Sequence, residues 1–301
     1  VNHPVFDPEF SYKQIGNAEV ALYKDGSFLE NLTYDPSGAV SGYDYVLPLS
    51  RYSSLSHKPV SGSVYRLEVS VSGYSPAICE ASFPTAVPII SVDTSTQIKI
   101  ESGWEWEWQY PTWLIKIRFQ DPPEEENFYR LVVRRSYGIY SGDKTMPYSA
   151  EFPVIVYEEE MGWIDTEDPL LVPTEENSLF GSDVPNTYSI FSDELISGKE
   201  YELAINIFQA QPPVDTSYHE FLHIKMELQS ISRDLYMYLL TFSAHSELEE
   251  DFLSEPVMVY SNVENGLGVL GASIPSVFSI LQGSYPDEGV NYIEQWSYYE
   301  Y

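Results

Sequence analysis

Short runs of alternating apolar and polar positions dominate the chain, cut by glycine, proline and aspartate. Residues 18–23 form one run and stop at Lys24-Asp25-Gly26, a hairpin signal. Residues 28–34 resume it before Asp35-Pro36-Ser37-Gly38, and 43–49 is another short run. In 64–71, Tyr65, Leu67, Val69 and Val71 oppose Val64, Arg66, Glu68 and Ser70; Gly73 ends the run and 77–83 follows. Turn signals roughly every 8–12 residues predict a β-sandwich. Residues 1–16, with Pro4 and Pro8, read as an extended lead-in. Pro84, Pro88 and the Ser/Thr-rich stretch 91–96 read as a crossing between domains.

Strand composition returns at 104–108, 113–119, 127–136, 152–157, 200–208, 222–230, 256–260 and 268–279. The acidic stretch 158–186 holds Pro169, Pro173 and Pro185 and reads as mostly loop. One segment has a different period. Leu235, Leu239 and Phe242 form a stripe with Tyr236 and Leu240 beside it, which is helical spacing. Ser232 can cap its start, and Asp234 suits the positive end of the helix dipole. The pattern therefore predicts an all-β protein of two β-sandwich domains. The first, Ig-like or prealbumin-like, spans 1–97. The second is larger, spans 98–301 and carries one inserted α-helix near 232–246.

Composition sharpens this reading. The chain has 301 residues, 46 acidic and 15 basic side chains, and a net charge of −31. That field repels phosphate backbones, so nucleic acid is not an expected partner. Cations and neutral sugars are compatible with it. Cys79 is the one cysteine, so no disulfide framework or Cys-type zinc site is available. No apolar stretch reaches the roughly 18 residues of a membrane span. Val1 is not an initiator Met, so the natural chain is expected to be trimmed or processed.

Four motifs carry candidate chemistry. His219-Glu220-Phe221-Leu222-His223 matches the H-E-x-x-H zinc signature. That chemistry needs both imidazoles on one helical face, about 6 Å apart. The alternation of Ile224, Met226 and Leu228 with Lys225, Glu227 and Gln229 predicts a strand instead, which spreads the histidines to about 13 Å. The segment reads as a lead-in to a strand, with no metal. Residues 266–271 match G-x-G-x-x-G, but Pro275 stands where the nucleotide-binding helix would run. A structural turn is expected, and no cofactor. Trp104, Trp106 and Trp108 alternate with Glu105 and Glu107, so on a strand the indoles share one face. They are the candidate ligand-binding residues, as an aromatic platform or as a packed face. Acidic clusters at 124–126, 158–160, 165–168 and 247–251 lack EF-hand spacing and read as solvated surface. No catalytic constellation is legible, so the chain is expected not to be an enzyme. A glycoside hydrolase, whose two carboxylates need only meet in space, is the second alternative.

Several strings together resemble one family. They are Asn17-Ala18-Glu19-Val20 with 22–26; 65–69 with Gly73-Tyr74; Phe119-Gln120-Asp121-Pro122 with 126–130; Phe191-Ser192-Asp193-Glu194 with 198–201; Asp234-Leu235-Tyr236; and 254–257 with 261–268. Their order is similar to domain-of-unknown-function family 4249 of Bacteroidota. The resemblance implies an exported lipoprotein of unknown function, anchored upstream of Val1 at the outer membrane and facing the periplasm or cell surface. It also implies association with a TonB-dependent uptake receptor, and carries over no catalytic residue. The expected function is a non-enzymatic binding or accessory protein, with a glycan or peptide as candidate partner; a glycan-binding or adhesion module using the tryptophans is the alternative.

Overall fold

The computed structural model describes residues 15–36, 39–41, 46–48, 50–103, 107–123, 125–140, 154–161, 164–173, 184–208, 219–248, 257–283 and 292–294. Among them the chain is all-β with one helix. The first strands are β1 (Glu19–Lys24), β2 (Ser27–Asn31), β3 (Thr33–Asp35), β4 (Ala39–Ser41), β5 (Val46–Pro48), β6 (Arg51–Ser53), β7 (Val64–Ser70) and β8 (Ala77–Ser82). Four of them make an antiparallel sheet of order β2-β1-β7-β8, and two short ribbons pair β3 with β6 and β4 with β5. Asp25 and Gly26 join β1 to β2 with φ of 49° and 78°, the double positive φ of a two-residue hairpin turn.

The remaining strands are β9 (Ile89–Ser102), β10 (Glu107–Gln120), β11 (Phe128–Tyr140), β12 (Val154–Glu160), β13 (Ile190–Ser192), β14 (Glu200–Phe208), β15 (His219–Ile231), β16 (Ser273–Gly283) and β17 (Tyr292–Glu294). They form two sheets, β14-β10-β9 and β12-β11-β15-β16-β17, with β13 also on β11. Trp113, Ile115, Ile117 and Phe119 from β10 and Leu203, Ile205 and Ile207 from β14 meet Leu131, Val133, Ile224, Met226 and Leu228 from the other sheet. The period-two residues of both sheets thus face each other across a sandwich core.

Helix α1 (Arg233–Leu248) follows β15. Ser232 Oγ accepts the Leu235 N–H at 3.3 Å, as its capping role requires. Leu239 is buried with Phe128, Ile190 and Ile231, and Leu235, Tyr236 and Leu240 pack around them. No described helix is long and apolar enough to cross a membrane.

Three sequence expectations change. The boundary expected after residue 97 falls inside β9, which pairs with β10 from Ile89 to Ser102. The Ser and Thr side chains there read as a linker, yet they suit an exposed strand. Residues 257–260, expected as a strand, run along α1 instead. Tyr260 N–H donates to Thr241 Oγ1 at 2.8 Å, its hydroxyl donates to Asp234 at 2.6 Å, and Val257 O lies 2.9 Å from His245 Nδ1. Helix side chains thereby take the groups a ladder would use. The third change concerns His219, which is already in β15, paired with Tyr140, rather than in a lead-in loop.

Candidate functional site

The sandwich has two unlike ends. The basal end gathers the start of β9, the end of β10, the start of β11 and the turn before β14. Here Asp121 is fully buried. Tyr129 donates its hydroxyl to Asp121 Oδ1 at 2.5 Å, and Gly198 N–H donates to Oδ2 at 2.8 Å. Burial pushes the Asp121 carboxyl up from its ordinary range, and the two donors oppose that shift. Burial, then the Asp121 hydrogen bond, pushes the Tyr129 phenol up. Asn127 Nδ2 reaches the carbonyls of Pro122 and Glu125 and the carboxylate of Asp193. Phe119, Tyr129 and Phe191 stack around the cluster, with centroids 5.1 to 6.3 Å apart. Asp168 accepts from Tyr201, Leu170 N–H and Ala204 N–H.

A second cluster ties the two halves together. Ile78 and Glu264 exchange backbone hydrogen bonds of 3.1 and 2.7 Å. Asn262 Nδ2 donates to the Glu80 and Leu270 carbonyls, and Asn265 Nδ2 donates to the Pro76 carbonyl. This clasp extends the edge of β8. Gly268 has φ +123°, and a Cβ on Gly271 would lie 2.8 Å from Leu235 Cβ. Gly266 is needed for space rather than for φ, since its Cβ would meet Val263 Cγ1 at 2.9 Å. The G-x-G-x-x-G string therefore leads into β16, with Pro275 on that strand, and no helix follows it.

Among the described residues, the strings read as a family signature fall on these two clusters, on β1, on β7 and the turn after it, on the first turn of α1 and on Val257 beside His245. The chain matches the family model described as Domain of unknown function (DUF4249) over residues 3–276. It belongs to the DUF4249 family. No curated protein matches it. In this DUF4249 chain, Asp121, Asn127, Tyr129, Asp193, Asn262 and the glycines all serve folding contacts.

The distal end is different. β9 and β10 extend past the core as a two-stranded arm. Trp108, Tyr110 and Thr112 share its outer face, and Phe208 of β14 pairs with Thr112. Trp108 and Tyr110 have centroids 5.0 Å apart, and Tyr110 and Phe208 5.6 Å. Trp108 is 56% exposed and Phe208 42%. Tyr110 donates to Glu101 Oε1 at 2.5 Å, and that carboxylate pushes its phenol up to about 12. Of the predicted tryptophans, Trp104 and Trp106 lie outside the described residues; Trp108 is displayed. The row's other members, Tyr110 and Phe208, were not singled out from the sequence, because their adjacency to Trp108 depends on strand register.

The same face continues into an open cavity of about 470 Å³ lined by Gln97, Ile98, Lys99, Leu114, Glu167, Asp168, Ala204 and Asn206. Gln97 donates to Asn206, and Lys99 Nζ donates to Asp165 at 2.6 Å. Among the described residues, no group of three or more His, Cys, Asp or Glu side chains is placed to hold a metal ion. Cys79 is half-buried in β8, and burial pushes its thiol up, which suits packing rather than reactivity.

Proposed function

We propose that this DUF4249 chain is a non-enzymatic binding protein of the bacterial cell envelope, accessory to a TonB-dependent uptake system. The observation that carries the reading is a division of labour. The described family strings serve the basal cluster, the clasp, β1, β7 and the start of α1, whereas the displayed aromatic row lies at the far end of the sandwich. The buried carboxylates among the described residues, Asp121, Asp168, Asp193 and Glu227, are all held by donors. Glu227 is buried, which raises its pKa, but Gln229, Arg134 and Lys225 outweigh that and hold it low. A carboxylate so held suits a structural role better than a hydrolytic one.

On this reading a lipid anchor upstream of Val1 holds the β1–β8 unit toward the outer membrane. The distal end, with Trp108 and Phe208, then points away and is free for a ligand. Affinity purification of the tagged, anchored protein from its host tests the proposal. Recovery of a TonB-dependent receptor is the expected result. Repeated recovery of no envelope partner, together with turnover of a glycan or peptide, overturns it. A glycan-binding or adhesion role is the second reading, favoured by the exposure of Trp108 and Phe208.

A further inference from the structure

We propose that the outer face of β14-β10-β9 is a binding groove for a single uncharged saccharide chain. Trp108, Tyr110 and Phe208 are its stacking row, and Gln97 and Asn206 are its hydrogen-bonding end. The inference rests on the binding-protein reading and names the ligand class of that surface.

Four observations converge. The first is the row itself: three rings at 5.0 and 5.6 Å centroid spacing, two of them substantially exposed. Aromatic faces are electron-rich and attract the weakly positive C–H face of a pyranose. Second, the row runs into a cavity that sets the amides of Gln97 and Asn206 beside Leu114 and Ala204. Gln97 and Asn206 spend one group each on one another, so each keeps polar capacity for a ligand. A sugar needs this mixture of apolar face and hydroxyl partners, whereas an apolar peptide side chain would leave the amides unmet.

Third, Thr112 lies in the row between Tyr110 and Asn206, flanked directly by Gln97 and Phe208. It is 1% exposed, and its Oγ1 has no hydrogen-bond partner among the described residues. A buried orphan hydroxyl is costly, and this one adjoins the amides that line the cavity. Fourth, charge selects the class of glycan. Lys99 is neutralised by Asp165, and Glu101, opposite Trp108, and Glu167 border the face in a chain of net charge −31. A uronic-acid or sulfated chain would be repelled. The rings are also tilted by 42° and 53° to their neighbours. A twisted row follows one soluble chain and does not fit a flat crystalline surface.

The test is calorimetric titration of the purified protein with tetrasaccharides of glucose, mannose, xylose and N-acetylglucosamine, with tetragalacturonate as the acidic comparison. At least one neutral oligomer should bind, and the galacturonate should not. Tyr110→Ala and Phe208→Ala should each weaken binding roughly tenfold, with melting temperatures near that of the parent chain. Ile100→Ala, on the opposite face of the arm, should leave affinity unchanged. The Trp108→Phe variant should lose the fluorescence change that binding produces. No binding of any neutral oligomer at millimolar concentration overturns the inference. So does equal binding of the galacturonate, or affinity indifferent to Tyr110 and Phe208. If the sugars fail while the anchored protein still recovers an uptake receptor, the saccharide inference falls and the envelope reading stands.

Discussion

At the scale of single residues, Asp121 is the group on which the basal end depends. Its two oxygens satisfy Tyr129, which is fully buried, and the Gly198 N–H in the turn before β14. Asp121→Ala orphans both and should cost about 3 kcal/mol in urea unfolding. Asp121→Asn keeps one acceptor and should cost less. The pH dependence has a definite sign. A carboxyl whose folded pKa is raised holds its proton more tightly in the folded state. Its contribution is therefore present at low pH and is lost as pH rises from the ordinary carboxylate range through the folded value. Asp121→Asn should remove that decline, so the stability difference between the two chains should narrow as pH rises over this window. A difference that widens would contradict burial as the cause. Gly268 is a residue of another kind. Its φ of +123° is open to glycine and strained for valine, so Gly268→Val should lower the melting temperature. NAD and ATP should leave that temperature unchanged in the parent chain; a dose-dependent rise would mean the glycines bind a nucleotide after all.

Elements show where the clasp acts. The backbone pair between Ile78 and Glu264 adds a bridge to the edge of β8, and Asn262 braces it from both sides. Asn262→Ala should speed hydrogen exchange at the Ile78 amide and leave Ile205, deep in the sandwich, unaffected. Equal acceleration at both sites would show that the two sheets unfold as one unit. Gly271→Ala should destabilise by about 1–3 kcal/mol, because its methyl would collide with Leu235 at the start of α1. Much of this level was legible in the sequence. Strand β14 follows the alternation from Glu200 to Phe208, and α1 follows the stripe of Leu235 and Leu239 with Ser232 as its cap. Residues 257–260 were not legible. Their composition is that of a strand, but a helix side chain, Thr241, takes the Tyr260 amide, and one sequence cannot display that competition. Strand β9 was obscured for a related reason, since Thr and Ser suit both a linker and an exposed strand. In the distal site, Trp108 stood out through its alternation with Glu107. Phe208 did not, because a strand's last residue gains meaning only from the strand beside it.

For the molecule as a whole, the dominant fact is unbalanced charge. The cations are largely committed: Arg51, Lys99, Lys116, Arg130, Arg134 and Lys225 each reach a carboxylate. With 46 acidic groups against 15 basic ones, most carboxylates have no basic side chain to pair with one-to-one. Exposed ion pairs contribute at most about 1 kcal/mol each, so they do not offset the summed repulsion. That repulsion is strongest in the compact state, where the charges are closest. Salt should weaken it more than it weakens the few buried pairs, because the screening length falls from roughly 30 Å at 0.01 M to about 8 Å at 0.15 M. The melting temperature should therefore rise as sodium chloride is added over that range. Sodium and potassium should act alike if screening is the cause. A larger rise with calcium at equal ionic strength would instead report cation binding at a carboxylate cluster. A melting temperature that falls with salt would mean that the attractive pairs, such as Lys99 with Asp165, outweigh the repulsion, and the charge argument would fail.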